Sequence, residues 1–139
     1  RFIPRQKYQG GVPREDVLFN TIKKEFYQNI NDTDYTVCIR GTGNFSARFY
    51  ETLAVGRIPV FIDSDSTLPF NSDIDWKRHL VWVKQNELSQ IEDKILQFHY
   101  SLSKRKFQNL QKENRIIWEK YFYFPNFYKQ LLDLLKSIL

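Results

Sequence analysis

Two short apolar runs, Tyr35–Ile39 (YTVCI) and Ile58–Ile62 (IPVFI), flank the segment Arg40–Arg57. Each is β-rich, short and bounded by turn residues, as a buried strand is. The segment between them opens on Gly41 and Gly43, offers Ser46 as a helix N-cap, and stops at Gly56. A helix is expected from about Ser46 to Val55. Strand, helix and strand with short links form a βαβ unit. Its geometry demands parallel pairing and a right-handed crossover. Pro59 falls near the start of the second strand, where a missing N–H is tolerable.

The rest of the chain fits around that unit. Residues 1–14 are basic, contain GGVP, and read as an irregular lead-in. Val17, Leu18, Ile22, Phe26 and Ile30 share a helical face over Glu15–Ile30. A third strand is expected at Leu80–Val83, a helix from Asn86 to Phe98, and another over Ser103–Tyr121. The closing segment is amphipathic, with Phe127, Leu131, Leu134, Leu135 and Ile138 along one stripe. The pattern is α/β with a parallel sheet and a helical C-terminal end covering 103–139, all in one domain.

The chain of 139 residues carries a formal net charge of +5, which leaves room for an anionic partner. Its charges alternate in sign and form no basic block, so a nucleic-acid grip is not expected. Cys38 is the only cysteine and lies in an apolar run, where a buried structural thiol is expected. His79 and His99 are far apart in sequence, with no cysteine or carboxylate cluster around them, so no metal site is expected. No apolar stretch is long enough to span a bilayer. The absence of methionine, even at position 1, marks the chain as an expected fragment of a longer protein.

The glycine turn carries the chemistry. In open α/β sheets, ligands bind beyond the carboxyl ends of the strands, where Gly41–Ser46 is expected to lie. The first turn of the following helix presents unsatisfied N–H groups and the positive end of its dipole. Glycine there lets a phosphate sit against the backbone. Arg40 and Arg48 flank the turn, and a guanidinium can bond two phosphate oxygens at once. Glu51, three residues after Arg48, shares its helix face and offers acceptors to sugar hydroxyls. Together these residues match a sugar nucleotide. Plainer roles compete: a tight turn for the glycines, a cap for Ser46, and a solvated ion pair for Arg48 and Glu51.

The stretch Tyr35–Trp76, YTVCIRGTGNFSARFYETLAVGRIPVFIDSDSTLPFNSDIDW, resembles the C-terminal signature of the exostosin-like glycosyltransferases, glycosyltransferase family 47. That pattern runs F-C-L-x-P-R-G-x-G, then S-x-R-x-x-E-A-x-x-x-G-C-I-P-V-I, then L-P-F and D-W. Arg40, Gly41, Gly43, Ser46, Arg48, Glu51, Gly56, Ile58–Val60, Leu68–Phe70, Asp75 and Trp76 fall in matching order. Ile39, Thr52 and Arg57 stand where proline, alanine and cysteine are common.

The resemblance implies a GT-B architecture of two Rossmann-like halves, of which this chain is the C-terminal, donor-binding one. It implies a nucleoside diphosphate sugar as donor, a UDP-sugar first of all, a glycan acceptor, and inverting transfer that needs no metal or other cofactor. Arg40 and Arg48 would hold the diphosphate, Gly41, Gly43 and Ser46 would contact it, and Glu51 would hold the ribose. The general base would come from the absent N-terminal domain. Asp63 and Asp65, in the loop after the second strand, are candidates to face the sugar, against the plain reading as turn residues. Trp76 would stack on a sugar or, as is commoner, join the core. The aromatic segment with Trp118, Phe122, Phe124 and Phe127 would pack on the sheet or the partner domain. Its alternative is peripheral docking on a membrane. A bacterial version would work in the cytoplasm or at the inner membrane face, a eukaryotic one in the Golgi lumen.

Two other readings stay open. GTGNFS approaches the dinucleotide fingerprint, and Asp63 stands near the distance expected of a ribose-binding acid. Ser46 replaces its third glycine, however, and Arg40 has no role in it. The other is a non-catalytic module, such as a degenerate transferase fragment or a docking domain.

Overall fold

A computed structural model describes residues 11–138. Most of the lead-in, residues 1–10, lies outside the described residues. The elements run α1 (Val17–Asn31), β1 (Tyr35–Cys38), α2 (Ala47–Ala54), β2 (Ile58–Asp63), β3 (Val81–Lys84), α3 (Ile91–Tyr100), α4 (Lys104–Ile117) and α5 (Phe124–Ile138). Short 3-10 turns cover Trp76–Arg78 and Gln85–Gln90, and a π-helical turn covers Trp118–Phe122.

The three strands pair in the order β1-β2-β3, all parallel. Val37 faces Val60 in one ladder, and Val60 faces Val81 in the next. β2 is central and buried from Ile58 through Ile62. Pro59 fits inside it for a specific reason. The Ile58 N–H donates to the Asp34 carbonyl on the β1 side. Successive strand residues direct their N–H groups to opposite edges, so the missing Pro59 donor falls on the β3 side. Pairing with β3 begins only at Val60, and no ladder bond is lost there.

Alternation along the strands divides the core in two. On one face Cys38 and Phe61 meet Phe49 and Leu53 of α2, with Leu68, Ile74, Trp76, Leu80 and Tyr121. On the other, Val60, Ile62, Val81 and Val83 are covered by Ile91, Ile95 and Phe98 from α3. The result is a parallel sheet with helices on both faces, the α/β architecture expected from the sequence.

Several elements differ from expectation. The helix expected from Asn86 begins at Ile91 instead. Glu87 folds back to accept from the Lys84 N–H at 3.1 Å and pairs with Lys94 at 3.0 Å, which holds residues 85–90 in 3-10 turns. The helix expected to reach Tyr121 ends at Ile117 and passes into the π-helical turn. The apolar face expected on α1 is only partly covered. Ile30 is buried, whereas Val17 and Leu18 are exposed. Phe127, Leu131, Leu135 and Ile138 of the α5 stripe are also exposed.

Gly56 ends α2 in a left-handed conformation, φ +66°. Its N–H donates to the Leu53 carbonyl and that of Arg57 to the Thr52 carbonyl, the pattern of a Schellman motif. A Cβ at Gly56 would stand 2.9 Å from the Gln111 carbonyl oxygen, which belongs to the α4 backbone and cannot swing away. Gly56→Ala is therefore expected to cost about 2–4 kcal/mol, from left-handed strain plus the clash. Urea unfolding would show a lower midpoint with an unchanged slope.

Arg57 serves a neighbouring helix end. Its guanidinium donates to the Asn31 carbonyl from Nε at 3.0 Å and Nη2 at 2.6 Å, placing a cation at the C-terminus of α1.

Asn114 of α4 is fully buried. Its Nδ2 group donates to the carbonyls of Arg57 and His79, at 3.1 and 3.0 Å. Its Oδ1 is left to accept, so the His79 proton sits on Nδ1, 3.1 Å away. Burial lowers the His79 pKa, against smaller opposing contributions led by the Asn114 bond. Above the ordinary histidine range both the folded and unfolded states hold His79 neutral. As pH falls through 6.5, the unfolded chain takes the proton first, and stability declines down to the folded pKa. The melting temperature should fall between pH 7.5 and 5.5, and His79→Gln should flatten that slope.

Candidate functional site

The carboxyl ends of the strands carry the loops singled out by the sequence. After β1 the chain turns through Gly41–Phe45, closed by the Gly41 N–H donating to the Phe45 carbonyl at 3.1 Å. Among the described glycines only Gly11 and Gly56 have positive φ, so neither Gly41 nor Gly43 is demanded by a left-handed turn. A Cβ on Gly43 would meet only the Phe45 ring, at 2.9 Å. A Cβ on Gly41 would meet nothing within 4 Å. The space above Gly41 is thus open, as a site of close ligand approach requires.

Ser46 has the backbone of an N-cap, but its hydroxyl makes no capping bond. Ser46 borders a small recess lined also by Asn44, Tyr50, Ser66 and Thr67. The recess holds only about 20 Å³, room for little more than a water. A phosphate would lie over it rather than within it. An open apolar groove of about 380 Å³, between Tyr50, Phe70, Trp118, Phe122 and Phe127, adjoins it through Tyr50.

The expected site residues divide between the two flanks of α2. Ser46 joins the recess, which includes neither arginine and not Glu51. Arg48 points to the α1 side, its Cζ 5.1 Å from the centre of the Phe26 ring. Arg40 is exposed and makes no hydrogen bond or ion pair with another described residue. The ion pair expected under the plainer reading is absent: Arg48 and Glu51 are not within ion-pair distance of each other, unlike Lys94–Glu87 and Arg115–Glu119. Glu51 is half-buried and receives no hydrogen bond from a described residue. Burial raises its pKa, and the nearby Arg48 charge pulls it back. Glu51 therefore presents a partly desolvated carboxylate with free acceptor oxygens.

The carboxylate of Asp63 is committed within the protein. Oδ1 accepts from the Asp65 N–H at 3.2 Å and Oδ2 from the Trp82 Nε1 at 3.1 Å. Asp65 is exposed and left-handed, φ 60°, and its carbonyl accepts from Asn44 Nδ2 at 3.2 Å. Trp76 is core, 4% exposed, with its indole N–H on the Pro69 carbonyl at 2.8 Å. Cys38 is buried, which pushes its thiol up to about 12 and leaves it inert. Trp118 and Phe122 pack against the core, whereas Phe124 is exposed.

Asn44, Tyr50, Ser66 and Thr67 escaped the sequence reading. Loops that follow neighbouring parallel strands emerge side by side, so DSDSTLPF had to face GTGNFS. That rule would have drawn attention to Ser66 and Thr67.

The glycine turn is open to solvent and lies at the carboxyl end of a parallel strand and the start of a helix, the position at which open α/β sheets in general take up ligands. The family model described as Exostosin GT47 domain matches residues 4–98, and the chain belongs to that family. It is 35% identical over 89 residues to Exostosin-1 of Drosophila melanogaster, covering 63% of this chain and 11% of that protein. It is 32% identical over 98 residues to human Exostosin-2, covering 70% of this chain and 13% of that one. Against the probable glucuronosyltransferase GUT1 of Oryza sativa subsp. japonica, identity is 30% over 67 residues, 48% of this chain and 16% of the relative. The chain thus spans only a small part of the relatives it matches.

Proposed function

We propose that this chain is the donor-binding part of a glycosyltransferase that uses a nucleoside diphosphate sugar. The observation that carries the reading is the open backbone at Gly41, next in the chain to a solvent-exposed Arg40 and followed on α2 by an unpaired Glu51, all within the region matched to the family. A diphosphate laid across Gly41–Ser46 would take hydrogen bonds from the α2 amides and the Ser46 hydroxyl. Arg40 would reach it directly, and Arg48 after leaving Phe26. Glu51 would accept from the ribose hydroxyls. Cations at the diphosphate stabilise the charge that develops on the leaving group, which lets inverting transfer proceed without a metal.

The site lies on an open surface, so water exclusion and the general base for the acceptor hydroxyl would come from a facing N-terminal domain. UDP-glucuronate is the first donor to try, given the glucuronosyl names of the plant relatives. The acceptor would be a glycan. Animal and plant relatives favour the Golgi lumen over a bacterial cytoplasm. Among the described residues no helix is long and apolar enough to cross a membrane.

The dinucleotide reading loses its ribose acid, because both Asp63 oxygens are already engaged. Thermal shift with UDP, GDP and NAD in parallel, without metal, tests the choice. UDP alone should raise the melting temperature. A response to NAD alone would overturn the transferase reading.

A further inference from the structure

The loops after β1 and β2 form the two walls of the recess, Asn44–Ser46 on one side and Ser66–Leu68 on the other. A chain of three hydrogen bonds fixes their relation. The Trp82 indole N–H in β3 donates to Asp63 Oδ2, at the end of β2. Asp63 Oδ1 accepts from the Asp65 N–H and folds the chain into a side-chain-closed turn. The Asp65 carbonyl, presented outward by its left-handed conformation, accepts from Asn44 Nδ2. The chain therefore runs from a half-buried β3 side chain, itself packed on Phe61 at 4.9 Å, to the tip of the glycine turn. Beyond its own Gly41–Phe45 closure, the turn has no other hydrogen bond to the body of the protein among those observed for residues 41–45.

We propose that Asn44 and Asp63 are positioning residues that hold the glycine turn at a fixed distance from the Ser66–Leu68 wall. The consequence for catalysis rests on the donor reading above. Phosphate recognition by backbone amides needs those amides held in place before the ligand arrives. A turn free to swing must surrender that freedom on binding. Asp63 does not line the recess, so any favourable effect it has on an anion there must pass through the turn. Its charge also has the wrong sign for direct attraction. Neutralising it would strengthen anion binding on electrostatic grounds alone, whereas loosening the turn would weaken it.

The test combines Asn44→Ala and Asp63→Asn with Ser101→Ala, which removes an exposed hydrogen bond at the far end of α3, as control. Backbone relaxation by NMR, without ligand, should show amide order parameters over residues 41–46 falling from about 0.8 to below about 0.6 in both brace variants. The dissociation constant for UDP, by calorimetry, should rise about fivefold or more in both and stay unchanged in Ser101→Ala. Unchanged order in the two brace variants would overturn the proposal. So would tighter UDP binding by Asp63→Asn. If the wild-type chain bound no UDP but the turn still lost order in the variants, the brace would stand and the donor reading would fall.

Discussion

Asn114→Ala is expected to lower the unfolding free energy by about 3–4 kcal/mol, near the top of the range for single substitutions. Asn114 is 0% exposed and satisfies three groups at once: the Arg57 carbonyl, the His79 carbonyl and His79 Nδ1–H. Alanine leaves all three without the partner that satisfies them here. Each abandoned buried group costs about 1–3 kcal/mol, and partial relaxation keeps the total below their sum. The two carbonyls precede β2 and β3, so the loss falls where α4 docks on the sheet. Asn114→Asp should be no milder, since it keeps the acceptor, removes both donors and buries a charge. Calorimetric melting measures the effect. A fall in melting temperature of only a few degrees would mean that the network is dispensable.

The second large effect concerns binding. Arg48→Ala is expected to weaken UDP binding by about tenfold to a hundredfold, the range for removing a charge-assisted hydrogen bond. Stability should change little, because the Phe26 contact that is lost is worth only about 0.5–1 kcal/mol at an exposed site. Arg48→Lys should recover only part of the affinity, since an ammonium cannot form a fork with two phosphate oxygens. Arg48 also counters the upward shift of the Glu51 pKa, so its removal pushes Glu51 toward the protonated form. Affinity for UDP in Arg48→Ala should therefore fall at a higher pH than in the wild type as the solution is acidified. Equal affinities for wild type and Arg48→Ala would remove Arg48 from the site.

Much of the frame was legible because its signals are local. The β-rich runs predicted β1 and β2 to within a residue, and the residues before and after α2 predicted its extent. Gly56 was read as a stop, and it is one, with positive φ. Ser46 was read as a cap, and only its backbone is one. Whether a hydroxyl turns toward its own helix or away depends on what else borders it. The start of α3 was misplaced because Asn86 is a good cap in isolation, while Glu87 has a competing partner in Lys94.

Local pattern by itself determined that the chain is α/β, that its strands are parallel, and that a glycine turn joins the carboxyl end of β1 to the start of α2. Periodicity, short links and chain handedness act over a few residues, and they leave few alternatives. Tertiary structure decided how that turn is furnished. Ser46 and Arg48 are two residues apart, yet α2 sends them to opposite flanks, because its Phe49 and Leu53 must face the sheet. Asp63 is held by an indole 19 residues away, Asn44 meets a carbonyl 21 residues away, and Asn114 reaches one 57 residues away. Such partners are chosen by which surfaces pack together, and a side chain's donors and acceptors are assigned only once its neighbours are in place.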